Sequence, residues 1–402
     1  FCILGPTCLS TTDQAAAEGQ NLVDFLRGVR TNEGVTSDVT KYYRQRAFLL
    51  GDIVSAEANY VQAPRFTYAD TGYAAFASSK AMRPGTVYVA ANDGFLHAFD
   101  SATGNERWAY VPTFVLPNMF KLADKGYSST HSYFVDGSPV TGDAFFGGAW
   151  HTILVGGQNA GGRGYYALDV TDPLNPVFLW EFTNTNLGFT YGNPKITKLN
   201  DGTWVVLLAS GYNNVTPGDG VGRLFVLNAQ TGALIRTIST ATGSTTTPSG
   251  LSKIETYVAS ANTNNTAIYV YGGDLLGNVW RFDINGGTAT RLITLVDAGG
   301  VPQPLTARPV IAQTGGQTVV LVGTGQLLGV SDLVTTQQQS FYAIKDTFSA
   351  TALGNPRVAG NKFVKQTQSI TTCTTAQVAA GLCSTGQLVR NSTNNVVNFA
   401  TD

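Results

Sequence analysis

Three histidines, four cysteines and 26 acidic side chains are the groups in this 402-residue chain with which chemistry could be done. The cysteines fall in two close pairs, Cys2/Cys8 and Cys373/Cys383. Neither spacing is CxxC, and no His or further Cys stands nearby to complete a zinc site, so two local disulfides in an oxidising compartment are expected. His97 sits in the middle of a strand-like Phe-Leu-His-Ala-Phe run, where a buried, hydrogen-bonded imidazole is the expected role. His131 and His151 stand beside aromatics at strand starts and read the same way. No GxSxG, HExxH or P-loop pattern occurs. The run 156–164 (GGQNAGGRG) has the glycines of a phosphate-binding loop but joins two strands instead of opening a helix, so a glycine-rich hairpin is expected. Calcium needs oxygen ligands at alternating positions. The best acidic candidate, Asn213–Gly222, has only Asp219, and Ser260–Thr266 offers neutral oxygens alone. An enzyme is not expected.

These sparse groups sit in a chain of short strands and turns. Net charge is −1, which leaves no basic field for nucleic acid or anionic membrane. Charged residues make up 13%, about half the usual share of roughly 25%, while 45 glycines and abundant Thr, Ser and Asn imply polar, uncharged loops. Hydrophobic residues at 43% are ample for a core. No run is long enough for a transmembrane helix, and the start at Phe1 without a signal peptide suggests a processed or excised chain. One helix is predicted, Ala15–Arg30, with Leu22, Val23, Phe25, Leu26 and Val29 as its apolar stripe, Asp13 as its N-cap, and the capping of a sheet edge as its role. Pro64–Pro84 reads as a loop excursion with aromatic anchors.

The organising unit is Val87–Pro112: strand, Asn92-Asp93-Gly94 turn, strand, Asp100–Gly104 turn, strand with Trp108. Further copies follow. His131–Thr183 carries predicted strands at Tyr133–Val135, Trp150–Gly156, Gly164–Val170 and Phe178–Thr183. The next copies hold Trp204–Ala209 and Gly222–Leu227, then Ala267–Tyr271 and Gly277–Phe282, then Thr318–Val322 and Ser340–Ile344. Four short strands recurring at roughly 45–52 residues predict an all-β fold, a β-propeller of four-stranded antiparallel blades with an N-terminal capping helix, and the Asp100-Ser-Ala-Thr-Gly104…Trp108 ending resembles the repeats of quinoprotein dehydrogenases. The tryptophans are expected to pack between neighbouring sheets. Residues 1–47 read as an N-terminal segment and 48–348 as the blades. Residues 349–402 read as a divergent tail packed on the propeller, with its own disulfide. Five copies are too few or barely enough to close a ring, so a missing blade or a further C-terminal part is expected.

The ordered series Leu22–Arg27, Arg44–Arg46, Leu50–Ile53, Val87–Pro112, Asp136–Pro139, Trp150–Gly156, Gly161–Pro173, Leu179–Glu181, Gly211–Asn213 and Gly273–Asp283 closely resembles the C-terminal propeller of the PilY/PilC family. These are bacterial type IV pilus biogenesis and tip-adhesin proteins. The resemblance implies a modified β-propeller exported to the cell surface, minor pilins as partners, support of pilus extension against retraction, and a part in adhesion, to a host or surface receptor, and in twitching motility. It also implies a calcium loop just before the Gly273–Asp283 segment. Here that stretch keeps Asn262 and Asn264 and has no carboxylate, so no metal ligand set is expected. At the end of the first helix Arg27-Gly28-Val29 lacks the carboxylate that some relatives carry. Candidate contact residues are Phe114, Leu116, Met119 and Phe120 in the Pro112–His131 connection, and Asp332 in the Ser331–Gln339 loop. Phe114–Phe120 reads equally as a buried crossover. The alternative function is a secreted quinoprotein-like or glycan-binding propeller.

Overall fold

The computed structural model describes residues 11–358, 360–398 and 401–402, so the expected Cys2–Cys8 bridge lies outside the described residues. The chain opens with α1 (Thr11–Ala16) and α2 (Gln20–Leu26) where the sequence predicts one helix. Gly19 takes φ +62° between them, a left-handed backbone that glycine adopts without steric cost, and Asp13 lies inside the first turn of α1 instead of capping it. α2 buries Phe25 against Tyr43, with the Arg46 guanidinium 3.7 Å from the Phe25 ring. Beside it β1 (Glu33–Gly34) and β2 (Tyr43–Arg44) pair in parallel.

Five antiparallel sheets follow in chain order, the third and fourth joined into one eight-stranded sheet by a single parallel pair, Lys198 with Thr266. The first holds β3 (Asn59–Val61), β4 (Thr86–Ala90), β5 (Leu96–Asp100) and β6 (Glu106–Tyr110), with α3 (Tyr73–Ser79) inserted before β4. The second holds β7 (Val140–Phe146), β8 (Ala149–Gly157), β9 (Tyr165–Asp169) and β10 (Val177–Phe182). The third holds β11 (Lys195–Lys198), β12 (Trp204–Ala209), β13 (Arg223–Asn228) and β14 (Leu234–Ser239). The fourth holds β15 (Ile254–Ser260), β16 (Asn264–Gly273), β17 (Asn278–Asp283) and β18 (Thr288–Thr294), and the fifth β19 (Val310–Thr314), β20 (Gln317–Gly323) and β21 (Phe341–Asp346). Each runs up and down in sequence order. This is the blade pattern of a β-propeller, with the fifth blade lacking its outer strand among the described residues.

The repeat has a local cause. In every sheet the third strand ends in Asp or Asn: Asp100, Asp169, Asn228, Asp283 and Asp346. Each side-chain Oδ1 accepts the backbone N–H two residues on, at 2.8–3.0 Å, and so sets the turn that leaves the strand. The fourth strand then reaches to the corresponding corner of the next sheet. Trp108 Nε1 donates to Pro173 O at 2.8 Å, and Trp180 Nε1 to Ala229 O at 2.9 Å. Arg236 makes the same reach to Asn285 O. Gly232 is at the corner that receives Trp180. Its φ is +67°, and a Cβ there would stand 2.5 Å from the indole.

Between successive sheets lie separate cores. Tyr88, Leu96 and Ala98 meet Leu154, Tyr166 and Leu168; Ile153, Val155 and Tyr165 meet Val206, Leu208 and Phe225. Val205, Leu207 and Val226 meet Val270, Trp280 and Phe282; Tyr271 and Val279 meet Val320, Val322 and Ile344. The inner strand of the second sheet is β7, not Tyr133–Val135. Phe134 and Val135 are buried in the connection, with Phe134 N–H held by Asn92 Oδ1 at 3.0 Å. The Gly and Asp in β7 break the apolar run that marks a strand in sequence. Pro64–Pro84 contains α3, and Tyr68 beside it packs on Phe66, Tyr73, Trp150 and Trp204. In the tail, β22 (Gln368–Thr372) and β23 (Leu388–Ser392) pair only with each other, flanking α4 (Thr375–Ala379) and the Cys373–Cys383 disulfide.

The Trp180–Gly232 latch gives a testable expectation. Trp180→Ala should destabilise by about 3–5 kcal/mol. Gly232→Ala should cost about 1–2 kcal/mol for its backbone alone and more for the clash. In a Trp180→Ala background the clash is gone, so Gly232→Ala should cost measurably less in urea unfolding. Simple additivity would show that the two residues do not form one joint.

Candidate interaction surface

The Pro112–His131 connection is mostly a 3₁₀ segment, Thr113–Ala123, lying over the first and second sheets. Three of its side chains face inward. Val115, Met119 and Leu122 are buried in the first inter-sheet core, so Met119 drops out of the contact set. Phe114 is partly buried against the same core, Phe120 is half-buried, and Leu116 is half exposed. The segment is anchored by Glu181, which accepts from Thr113 N–H and Tyr110 O–H at 2.7 Å. The four expected residues therefore share one crossover but not one surface.

Asp332 lies in a short 3₁₀ turn, Val330–Val334. Its carboxylate accepts from Leu328 N–H at 2.6 Å and Gly329 N–H at 3.1 Å, and these donors hold its pKa below the ordinary value. Asp332 thus shapes the loop. What the loop presents is apolar: Val330, Leu333 and Val334 are 83%, 69% and 82% exposed, and Phe341 at the start of β21 is 70% exposed. Among the described residues no strand pairs with the outer edge of β21. In the sequence this loop stands out by its acidic residue, while the valines escape notice because their spacing resembles an ordinary core turn.

The calcium loop expected from the resemblance does not fit calcium. Asn262 O accepts from Thr67 N–H at 2.9 Å, and Thr263 O from Ala69 N–H at 2.9 Å. Asn264 Oδ1 accepts from Thr266 N–H and Oγ1–H at 3.1 and 2.7 Å. The Asn262 and Thr263 carbonyls and the Asn264 side-chain oxygen are engaged within the protein, and the loop supplies no charge to a hard cation. Among the described residues no group of three or more His, Cys, Asp or Glu is placed to hold a metal.

The histidines are each tied to carboxylates. His151 Nδ1 lies 2.6 Å from Asp169 and stacks on Phe146, and His131 Nε2 lies 3.1 Å from Asp52. His97 is 7% exposed and bridges Glu106 (Nδ1, 2.6 Å) and Asp93 (Nε2, 3.1 Å). Asp93 also accepts from Gly51 N–H at 2.7 Å, and Asn92 Nδ2 donates to Asp52 at 2.9 Å. The turn of the organising hairpin is thereby clamped to Leu50–Ile53. Burial by itself lowers the His97 pKa, but Asp93 and Glu106 outweigh it and the net direction is up. A raised folded pKa means that this stabilisation is complete below the unfolded value of about 6.5 and is lost as pH rises through the folded value. The apparent Tm of the protein should therefore fall more steeply, as pH rises above the unfolded histidine value of about 6.5, than that of a His97→Asn variant. Parallel pH profiles for the two would refute the clamp.

The family profile of the PilY1 beta-propeller domain matches residues 50–291. The type IV pilus biogenesis factor PilY1 of Pseudomonas aeruginosa strain PAK is 35% identical over 96% of this chain, and 35% of that protein is covered. A PilY1 homolog of Xylella fastidiosa is 36% identical over 89% of this chain and 29% of its own length. The chain thus spans about a third of the length of the curated relatives it matches. The crystal structure of the P. aeruginosa PilY1 C-terminal domain superposes with a TM-score of 0.66 at 32% identity, covering 84% of this chain and 74% of that one. Family model, sequence identity and superposition agree on one conclusion: the chain belongs to the PilY1 β-propeller family.

Proposed function

We propose that this propeller is a non-enzymatic, cell-surface component of a type IV pilus system that binds minor pilins at the pilus tip, supports extension against retraction, and takes part in adhesion and twitching motility. The observation that carries the reading is the identity of 35% along 96% of the chain to a relative named as a pilus biogenesis factor. Export is supported by the Cys373–Cys383 disulfide. No helix among the described residues is long and apolar enough to cross a membrane. Protein contact is assigned to the Val330–Val334 turn of the β20–β21 connection and to the unpaired outer edge of β21, which begins at the exposed Phe341. Leu116 is a second, smaller contact. Because Ser260–Thr266 carries no carboxylate and several of its oxygens are already engaged, binding is expected to be independent of calcium.

The test replaces Val330, Leu333 and Val334 together by Ser in the full-length protein. All three are exposed, so the fold should be kept. Saturable binding to recombinant minor pilins should weaken by about tenfold or more, and cells carrying the variant should show fewer surface pili and reduced twitching. Chelation of divalent cations should leave binding by the parent protein unchanged. Full binding and piliation in the triple variant would remove the contact from this turn. Normal piliation after deletion of the gene would sink the whole reading.

A further inference from the structure

A cleft of about 640 Å³ opens among the loops that join the second and third sheets. Phe114 forms one wall. The β8–β9 loop brings Gln158 and Arg163, and the connection from β10 to β11 brings Thr183, Asn184 and Thr185. Gln158 is 3% exposed, yet its Oε1 accepts no hydrogen bond from any described residue, and its Nε2 reaches only Phe134 O and Gly161 O, both at 3.4 Å. A carbonyl left open in this way takes its donor from the cleft, either from water or from a ligand hydroxyl that displaces the water. The Thr183 and Thr185 hydroxyls and the Asn184 Nδ2 also have no hydrogen-bond partner among the described residues. Asn184 itself is fixed in place, its Oδ1 accepting from Asn186 N–H at 2.9 Å.

The charge of the cleft is already used. Arg163 is its charged lining residue, and its two terminal nitrogens donate to Asn213 O, Val215 O and Thr216 O at 3.0–3.1 Å. A phosphate or carboxylate entering the cleft would meet the Gln158 carbonyl and an aromatic ring, with that guanidinium committed elsewhere. An extended peptide would seek a free strand edge, but β8 and β9 are paired with each other at this end. What the lining offers is one aromatic face and several neutral groups that both donate and accept. That is the complement of a sugar ring, which presents a C–H face and a rim of hydroxyls.

We propose that this cleft binds a neutral saccharide of about two rings, stacked on Phe114 and donating a hydroxyl to Gln158 Oε1. The site is independent of the pilin contact assigned above, so its failure leaves the pilus reading intact. The test uses the whole chain with lactose, maltose, cellobiose and N,N′-diacetylchitobiose, by saturation-transfer NMR and calorimetry. At least one should bind saturably. Thr185→Trp, at an exposed rim position, should fill the cleft and abolish binding with the fold unchanged. Gln158→Met, which keeps the volume and removes the acceptor, should weaken binding by about tenfold. Should Gln158→Met misfold, Thr185→Trp alone decides. Absence of binding by all four sugars, or equal binding by Thr185→Trp, would overturn the proposal. So would preference for a sugar phosphate or a short peptide.

Discussion

The second, third and fourth sheets are apolar on both faces, and that governs the rest of the construction. β12, Trp-Val-Val-Leu-Leu-Ala, is buried along its whole length, and its side chains alternate between two different cores. A sheet of this kind has no solvent face, so it is stable only between two neighbours. Stacking in sequence order follows. So does the need for a device that holds one sheet against the next in a fixed register. The indoles of Trp108 and Trp180 and the guanidinium of Arg236 supply it, each reaching from an outer strand to the following corner. Their contribution combines burial with a satisfied polar tip, which apolar packing alone would not orient.

The end of the stack shows the same constraint unmet. The face of the fifth sheet toward the fourth is closed by Val320, Val322 and Ile344. Its opposite face carries Val310 and Phe341, 55% and 70% exposed, and among the described residues its edge lacks the outer strand present in the other four sheets. The exposed Val330–Val334 turn belongs to the β20–β21 connection of this same sheet. Exposed apolar surface and unpaired backbone are liabilities in an isolated chain and recognition elements in an assembly. The first sheet differs: away from the second sheet it turns the His97–Glu106–Asp93 network outward, a polar finish.

Much of this fold is legible in the sequence because the repeat is written in residues with local effects. Asp100, Asn228 and Asp283, with the glycines that follow them, mark the corners by residue type alone, and the apolar runs between mark the strands. β7 is hidden, because Gly142 and Asp143 interrupt its run. Asp143 is buried there, accepting from Tyr73 O–H and Thr152 O–H at 2.7 and 2.6 Å, a partnership set by residues 70 and 9 positions away. The split between α1 and α2 is hidden too, because apolar periodicity continues across Gly19 while the backbone does not. The contact residues are harder still. Met119 and Leu116 are equivalent in sequence, and only the path of the 3₁₀ segment over the first core buries one and exposes the other.

The glycine-rich loop before β9 shows how a motif can be correctly denied one function and still serve another. Its glycines do not cradle phosphate at a helix end. They allow close approach: a Cβ at Gly164 would stand 2.6 Å from the Phe114 ring. That approach seats Phe114 at the wall of the cleft, and the same loop buries Gln158 beneath it. Because the sheets are locked by their cores, the loops at this end are free to differ in sequence without disturbing the stack. A rigid scaffold with an uncharged loop cleft separates two tasks in space. The apolar edge of the fifth sheet is suited to a protein partner, and the polar cleft to a small hydroxylated one. Neither site shares a residue with the other, so each can change without cost to its neighbour.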